Sequence, residues 1–490
     1  MVLLSLSANA QDATMQNIQQ LVSQRKFKTA EKLLGKYAVS HQDAPTLWYY
    51  AQVAHWAHDD KTAERNFKIA LNEDPGNTKL QLDYARMLFE SGQLNRSKKQ
   101  LDNVIRKDDN DVEAHLIRSN IAFWYGHIRP ARADIKNVTD TFPDNPAAKN
   151  LRTVINESTA PYLKYTVGYL NDDQPLQAIG NTVEAGICYS WLLSPRVQVT
   201  DQDFYAQSKW NSTLWASFSN KFLFGKTGTD VDLSIGAFKN FSSGADWTGD
   251  VTVHQKLYRY FGLQLEAQRK PYLSTITSTS LSLMQNNLSA TLIFDKSNSW
   301  TAQAAYRYQV FDDKNPIQTA YAWVLSQPIK VSVFQFRFGY SYNFSTSAHS
   351  RFTATESVAQ LLANYSATEQ ISGIYVPYFT PIKQHTNTLI VSIKIHPVRF
   401  MDIGIKGDIG FYAQAQNPYL YLDSSPTDAI FINQGFARQV FHPYKLSANI
   451  DFKIGRKVTL GADYAYTSGF FYSNHYTSLH LHISFLKHAD

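Results

Sequence analysis

The sequence predicts an α+β multidomain chain, an α-solenoid of short helical repeats followed by an antiparallel transmembrane β-barrel. Sixteen strands is the expected count, with fourteen as the alternative. Three observations carry this reading. Residues 44–145 repeat with a period of 34. From Pro161 onward, apolar and polar residues alternate with a period of two. Aromatic residues make up 14% of the chain while charged residues make up only 18%. Strands that face lipid on one side and water on the other have that composition, and a mean hydropathy of −0.33 is consistent with it. A length of 490 residues exceeds one ordinary domain. The boundaries read as 1–10, 11–157 and 158–490.

The first ten residues, ending Ala8-Asn9-Ala10, have the small-x-small form of a signal-peptidase site. They read as the remnant of a signal peptide whose basic start is missing. No run of 18 apolar residues occurs, so no transmembrane helix is expected. The net charge of +6 is modest and dispersed, which argues against a nucleic-acid partner. Cys188 is the single cysteine, which excludes an intramolecular disulfide and a cysteine metal cluster.

The repeat is carried by matched positions. Tyr50 corresponds to Tyr84, Ala51 to Ala85 and Ser119, and Ala63 to Ser97 and Ala131. Helix-breaking ends recur at Asp74-Pro75-Gly76-Asn77, at 108–111 and at Pro143-Asp144-Asn145. Gly92 and Gly126 fall in the turns between paired helices, where small residues let helices approach closely. These positions resemble the tetratricopeptide repeat. Three full repeats are expected, with the end of a partial fourth at Arg25–Ala30 and a capping helix over 147–156. Such a stack presents a concave groove to protein partners; a simple brace is the alternative.

The strands follow from side-chain alternation. Phe334, Phe336, Phe338, Tyr340, Tyr342 and Phe344 share one face, and Gln335, Arg337, Gly339, Ser341 and Asn343 share the other. Leu479, Leu481, Ile483 and Phe485 alternate with Ser478, His480, His482 and Ser484. A soluble sandwich also alternates. Strands of about ten residues, short turns such as 455–457 opposing long loops at 346–376 and 414–440, and aromatics at strand ends favour a membrane barrel. The strands are expected near 161–170, 181–191, 194–203, 208–220, 229–240, 246–257, 261–271, 286–296, 299–310, 318–329, 333–345, 384–396, 400–413, 443–453, 457–469 and 475–486. An even number returns the chain to the side it entered from, which places both ends in the periplasm. The carboxyl end departs from the usual terminal aromatic, since residues 486–490 follow Phe485.

The inward faces should carry Arg307, Gln309, Gln335, Arg337, Asn343, Lys394, Lys406, Asp408, Asp451, Lys453, Asp463, His480 and His482. Their signs are mixed. Such a wall can exchange hydrogen bonds with many hydroxyls, which suits a moving sugar polymer as well as any water-filled pore. His480 and His482 could in principle bind a metal or act as bases. Asp408, Asp451 and Asp463 could in principle pair for glycoside cleavage. They read instead as polar lining. No nucleophile elbow, zinc-protease motif or phosphate loop is present. The chain is therefore expected not to be an enzyme and to hold no metal or cofactor.

Two segments carry a further resemblance. One is Arg269-Lys270-Pro271-Tyr272, leading into a Ser/Thr-rich stretch; the other is Tyr375-Val376-Pro377-Tyr378-Phe379-Thr380-Pro381. With the repeats ahead of a barrel, Arg269, Pro271, Tyr272, Tyr375, Pro377, Phe379 and Pro381 resemble the outer-membrane subunits of exopolysaccharide secretion. The likeness is to the carboxyl domain of the cellulose-secretion subunit and to the poly-N-acetylglucosamine export porin. Thr380 stands where the cellulose family has serine, and the repeats are far fewer than in those exporters. The resemblance implies a periplasmic scaffold feeding an outer-membrane pore for a polysaccharide, with periplasmic or inner-membrane protein partners. Surface-lipoprotein translocators, usually of fourteen strands, and a small-solute porin anchored by its repeats are the competing readings. Loop 346–376 holds a helix-like stretch, Glu356–Tyr365, with Val358, Leu361 and Leu362 on one side, and is expected to fold inward as a gate.

Overall fold

In a computed structural model the chain divides into two compact units at Ile155/Asn156. The structure describes residues 14–486 except 259, 297–298, 367–368 and 425–429. The signal-like segment 1–10 and the carboxyl-terminal residues 487–490 lie outside the described residues.

The first unit is a stack of helix pairs. Helical residues 14–23, here α1, precede α2 (Phe27–Tyr37). The three expected repeats are α3 (Ala44–Trp56) with α4 (Asp60–Glu73), α5 (Thr78–Glu90) with α6 (Leu94–Lys107), and α7 (Val112–Trp124) with α8 (Ile128–Thr141). Helix α9 (Pro146–Thr159) follows. Asp43, Asp59, Asn77 and Asp111 cap their helices by accepting from the backbone three residues on. The matched small positions pack the pairs. Ser97 Oγ donates to the Ala85 carbonyl at 2.7 Å, and Ser119 Oγ to the Ala131 carbonyl at 2.9 Å. The turn of each repeat needs a left-handed residue. Gly126 (φ +72°) and Gly92 (φ +76°) supply it, but the first repeat places His58 there at φ +66°. The expected partial repeat is fuller than its sequence suggested. Ile18 of α1 is buried with Ala30, Leu34 and Val53.

The second unit is a closed antiparallel barrel. Its strands are β1 (Tyr162–Asp172), β2 (Leu176–Gly186), β3 (Pro195–Ala206), β4 (Lys209–Phe224), β5 (Thr229–Asn240), β6 (Gly244–Tyr258), β7 (Phe261–Pro271), β8 (Met284–Asp295) and β9 (Thr301–Phe311). They continue as β10 (Pro316–Leu325), β11 (Phe334–Ser347), β12 (Gln384–Val398), β13 (Met401–Ser424), β14 (Ile430–Phe441 resuming as Tyr444–Ile454), β15 (Val458–Ser468) and β16 (Ser473–Ser484). Strand β16 pairs back onto β1, from Tyr162↔Ser484 to Asp172↔Asn474, which closes sixteen strands. Phe485 N–H donates to the Pro161 carbonyl at 2.8 Å where the chain enters and leaves. We call that rim proximal and the opposite one distal.

Outward positions are apolar and exposed, among them Ile235, Leu265, Leu288, Phe338, Leu389, Leu446 and Leu479. That is the surface of a barrel standing in lipid. No described helix is long and apolar enough to cross a membrane.

Two strand expectations need correction. The second strand runs over Leu176–Gly186 rather than 181–191. Its inward Leu176 and Ala178 are apolar and its outward Gln177 and Asn181 polar, so alternation was blurred. Of residues 414–440, expected as a loop, 414–424 and 430–440 form the upper part of the β13–β14 hairpin, paired from Ala413↔Phe441 to Ser424↔Ile430; 425–429 lie outside the described residues. The pattern fails there because the β12–β13 pairing shifts register between Asn387 and Thr388, opposite Tyr412 and Gly410, and Pro443 interrupts β14. Pro443 has no ladder donor, yet its carbonyl still accepts from Gly410 N–H at 2.7 Å.

Candidate pore and distal mouth

All thirteen wall candidates fall on the strand face opposite the exposed apolar side chains. Gln309 Nε2 donates to Gln285 at 2.8 Å, and Arg307 faces Ser289 and Thr319 in register. Arg337 donates to the Ser326 and Ser299 carbonyls and to Thr301 Oγ1. Gln335 lies opposite Lys394, and Asn343 opposite Thr386. Lys406 pairs with Asp408 at 3.1 Å, and Lys453 with Asp402 at 2.6 Å. His480 sits between Asp451 (3.0 Å) and Asp463 (3.3 Å). His482 is next to Tyr162, ring centroids 5.3 Å apart. Further wall ion pairs were not singled out from the sequence: Arg196 with Asp232 and Lys221 with Asp230. Their inward parity on β3, β4 and β5 was the available signal. Among the described residues no cluster of three or more His, Cys, Asp or Glu could hold a metal ion.

The distal mouth is held by two loops that the sequence could not connect. The β7–β8 loop (272–283) reaches across to other strands. Its Leu273 and Ile276 pack on inward Leu176, Ala178 and Phe204. The Thr279 carbonyl accepts from Asn211 and from Asn240, the latter at 2.9 Å, and the Ser274 carbonyl from Gln174 at 3.2 Å. A short turn of helix, α10 (Ile276–Thr279), is closed by a capping box between Thr275 and Ser278. The β11–β12 loop (348–383) brings Tyr375–Pro381 against it. Thr275 Oγ1 donates to the Pro377 carbonyl at 2.5 Å, and Phe379 N–H to Tyr272 Oη at 3.3 Å. The Pro381 carbonyl accepts from Ser347 at 2.7 Å, and Thr380 Oγ1 accepts from Arg351 N–H at 2.9 Å. Tyr375 and Phe379 meet Phe471 of the β15–β16 loop.

Tyr378 is the centre of this plug and is fully buried. Its ring stacks on Phe311 with centroids 3.7 Å apart. Its hydroxyl donates to Asp313 at 2.6 Å, and Asp313 also pairs with Arg351. Burial works against the Asp313 carboxylate, but Tyr378, the Asn315 N–H and Arg351 outweigh it and hold its pKa below the usual range. Burial pushes the Tyr272 phenol well above its ordinary value, so it stays a neutral hydrogen-bonding group.

The motif residues therefore separate. Tyr272, Tyr375, Pro377, Phe379 and Pro381 come together, and buried Pro271 leads into the loop at the end of β7. Arg269 does not join them. It shares the parity of Leu265 and Ala267, pairs with Asp246 at 2.9 Å and lies over the Trp247 ring. The expected inward gate is also placed differently. The helical stretch is α11 (Val358–Asn364), whose Leu361 packs on Ile371 of the same loop and on Leu420 and Leu422 of the β13 extension, while Val358 and Leu362 stay exposed. The signal that could have revealed the plug is a set of apolar residues at inward parity near distal strand ends: Leu176, Phe204, Phe238, Phe311 and Ile317. A water-facing wall has no reason to carry them.

Residues 57–121 match the tetratricopeptide repeat family. No curated protein matches the chain by sequence. Among solved structures the chain is similar to a bacterial polysaccharide outer membrane secretin, at 8% identity and TM-score 0.46, over 67% of this chain and 99% of that one. It is also similar to a tetratricopeptide repeat protein from Parabacteroides merdae, at 12% identity and TM-score 0.29, over 30% of this chain and 60% of that one. A third likeness is to YrrB, a TPR protein with an unusual peptide-binding site, at 17% identity and TM-score 0.28, over 30% and 77%.

Proposed function

We propose that the chain is an outer-membrane channel that passively exports an exopolysaccharide, with its repeats as a periplasmic scaffold for periplasmic or inner-membrane proteins. One observation carries this reading: a closed sixteen-stranded wall with a hydrogen-bonding inner face, at whose distal mouth two loops are hydrogen-bonded to one another. Barrels of about sixteen strands enclose an aqueous lumen. A wall of amides, hydroxyls and paired charges offers a hydroxylated chain many weak, exchangeable partners. A mouth held by packed loops fits a cargo that must push through better than a permanently open small-solute porin. Sixteen strands also favour export over a fourteen-stranded lipoprotein translocator. The channel does no chemistry on its cargo in this reading, and synthesis at the inner membrane supplies the driving force. Deleting the gene should abolish release of one surface polysaccharide. A deletion strain that releases every surface polysaccharide at normal levels refutes the reading.

A further inference from the structure

We infer that the lumen is built for an uncharged polymer. The inference rests on the export reading and narrows its substrate class. It starts from how the wall charges are arranged.

Many charged side chains of the inner wall are placed beside charges of the opposite sign, while Arg307 and Arg337 face hydroxyls and carbonyls. Arg196 on β3 forks onto both oxygens of Asp232 on β5, at 2.8 and 2.7 Å. Asp402 on β13 is gripped by Lys453 from β14 and by His396 from β12, each at 2.6 Å. His480 on β16 bridges Asp451 on β14 and Asp463 on β15. Lys164 and Glu184 face one another directly in the β1–β2 register. These pairs lie on β1–β5 and β12–β16, and the arc between them carries both signs, Asp250 and Glu266 on β6 and β7 and Arg307 and Arg337 on β9 and β11, so no ring of one sign forms among the described residues. Rings of one sign are how pores select charged cargo.

Opposite charges separated by about one strand spacing, roughly 5 Å, give a field that fades quickly toward the pore axis. Electrolyte in the lumen screens the remainder within about 8 Å. A polyanion or polycation would meet both attraction and repulsion along the wall. It would lose part of its hydration with no net Coulomb gain in return. An uncharged hydroxylated chain loses less, and the wall's amide, hydroxyl and ionic groups can all hydrogen-bond to it.

The test uses the full-length chain and its Asp313→Asn variant, which loosens the mouth, in planar bilayers under a tenfold KCl gradient. The expected reversal potential is within a few mV of zero. A value approaching the ideal of about 59 mV in either direction overturns the inference. Adding Asp402→Asn and Asp451→Asn to the loosened variant leaves Lys453 and His480 without these carboxylates, and is expected to move the reversal toward anion preference. No movement overturns the claim that paired wall charges set the lumen field. Oligosaccharides of equal length are then added: neutral glucan, uronate and glucosamine. Neutral chains are expected to interrupt the current most often, at a frequency insensitive to salt. Preference for a charged chain overturns the inference and leaves export standing. Failure of all three to enter overturns export together with it.

Discussion

The Tyr378 hydroxyl donates to the Asp313 carboxylate at 2.6 Å while its ring lies stacked on Phe311. That contact ties the β11–β12 loop to the β9–β10 loop at the distal mouth. A hydrogen bond to a charged acceptor contributes about 1.5–3 kcal/mol. Tyr378→Phe keeps the stack and loses the bond, so the open fraction of single channels in a planar bilayer should rise roughly tenfold, each 1.4 kcal/mol being a factor of ten. Tyr378→Ala also removes the buried ring, at a cost of about 3–5 kcal/mol, and should leave the channel open most of the time. Unchanged gating in both variants would show that the loops do not close the pore.

The same contact gives a pH dependence. The folded-state pKa of Asp313 lies below the usual carboxylate range, held there against burial by Tyr378, the Asn315 N–H and Arg351. A depressed carboxylate contributes its full stabilisation above the unfolded value, near 4, and loses it as pH falls through the lowered value. Channel opening should therefore be flat from neutral pH to about 5 and rise on further acidification. Asp313→Asn should be open more often at neutral pH and lack the acid response. An acid response that survives in Asp313→Asn would assign it to another group.

In the helical unit, Arg96 of α6 holds Glu64 of α4, and with Lys68 it brings the Glu64 pKa down to about 2. The sign is that of any depressed carboxylate. The pair stabilises above the unfolded pKa, near 4.3, and that contribution disappears as pH falls through about 2. Because the site is solvent-accessible, about 1 kcal/mol is a reasonable magnitude. Glu64→Gln should lower the urea midpoint of the helical circular-dichroism signal at pH 7 and have a much smaller effect at pH 2. Equal losses at both pH values would mean that packing, not charge, was removed.

Much of this architecture was readable from residue types because each unit has its own period. The 34-residue repeat is visible in Ala51, Ala85 and Ser119, since only small side chains fit where paired helices touch. The strands are visible in runs such as Phe334–Phe344, since lipid and water impose opposite demands on alternating positions. The wall residues follow from parity alone. The plug does not. Tyr272 and Phe379 lie 107 positions apart, and no local pattern links them. The Tyr272 loop buries Leu176 and Phe204 on the nominally wet face, which breaks the alternation that locates strands. The displaced second strand and the unseen mouth therefore share one physical cause. The β13–β14 extension was lost for a different reason: a register shift and Pro443 disturb the pattern in mid-strand.

His58 offers a test confined to one residue of the repeats. Its backbone sits at φ +66°, at the position where the next two repeats use Gly92 and Gly126. A side chain in the left-handed region costs roughly 1 kcal/mol relative to glycine. Glycine is also more flexible when unfolded, which offsets part of the gain. His58→Gly should therefore stabilise the helical unit by a few tenths to about 1 kcal/mol. Gly92→Ala, forcing a Cβ into the same conformation where no atom crowds it, should destabilise by a comparable amount. Urea unfolding followed at 222 nm would check both. Opposite signs for the two substitutions are required; a loss of stability in His58→Gly would mean that its side chain contributes more than its backbone strain removes.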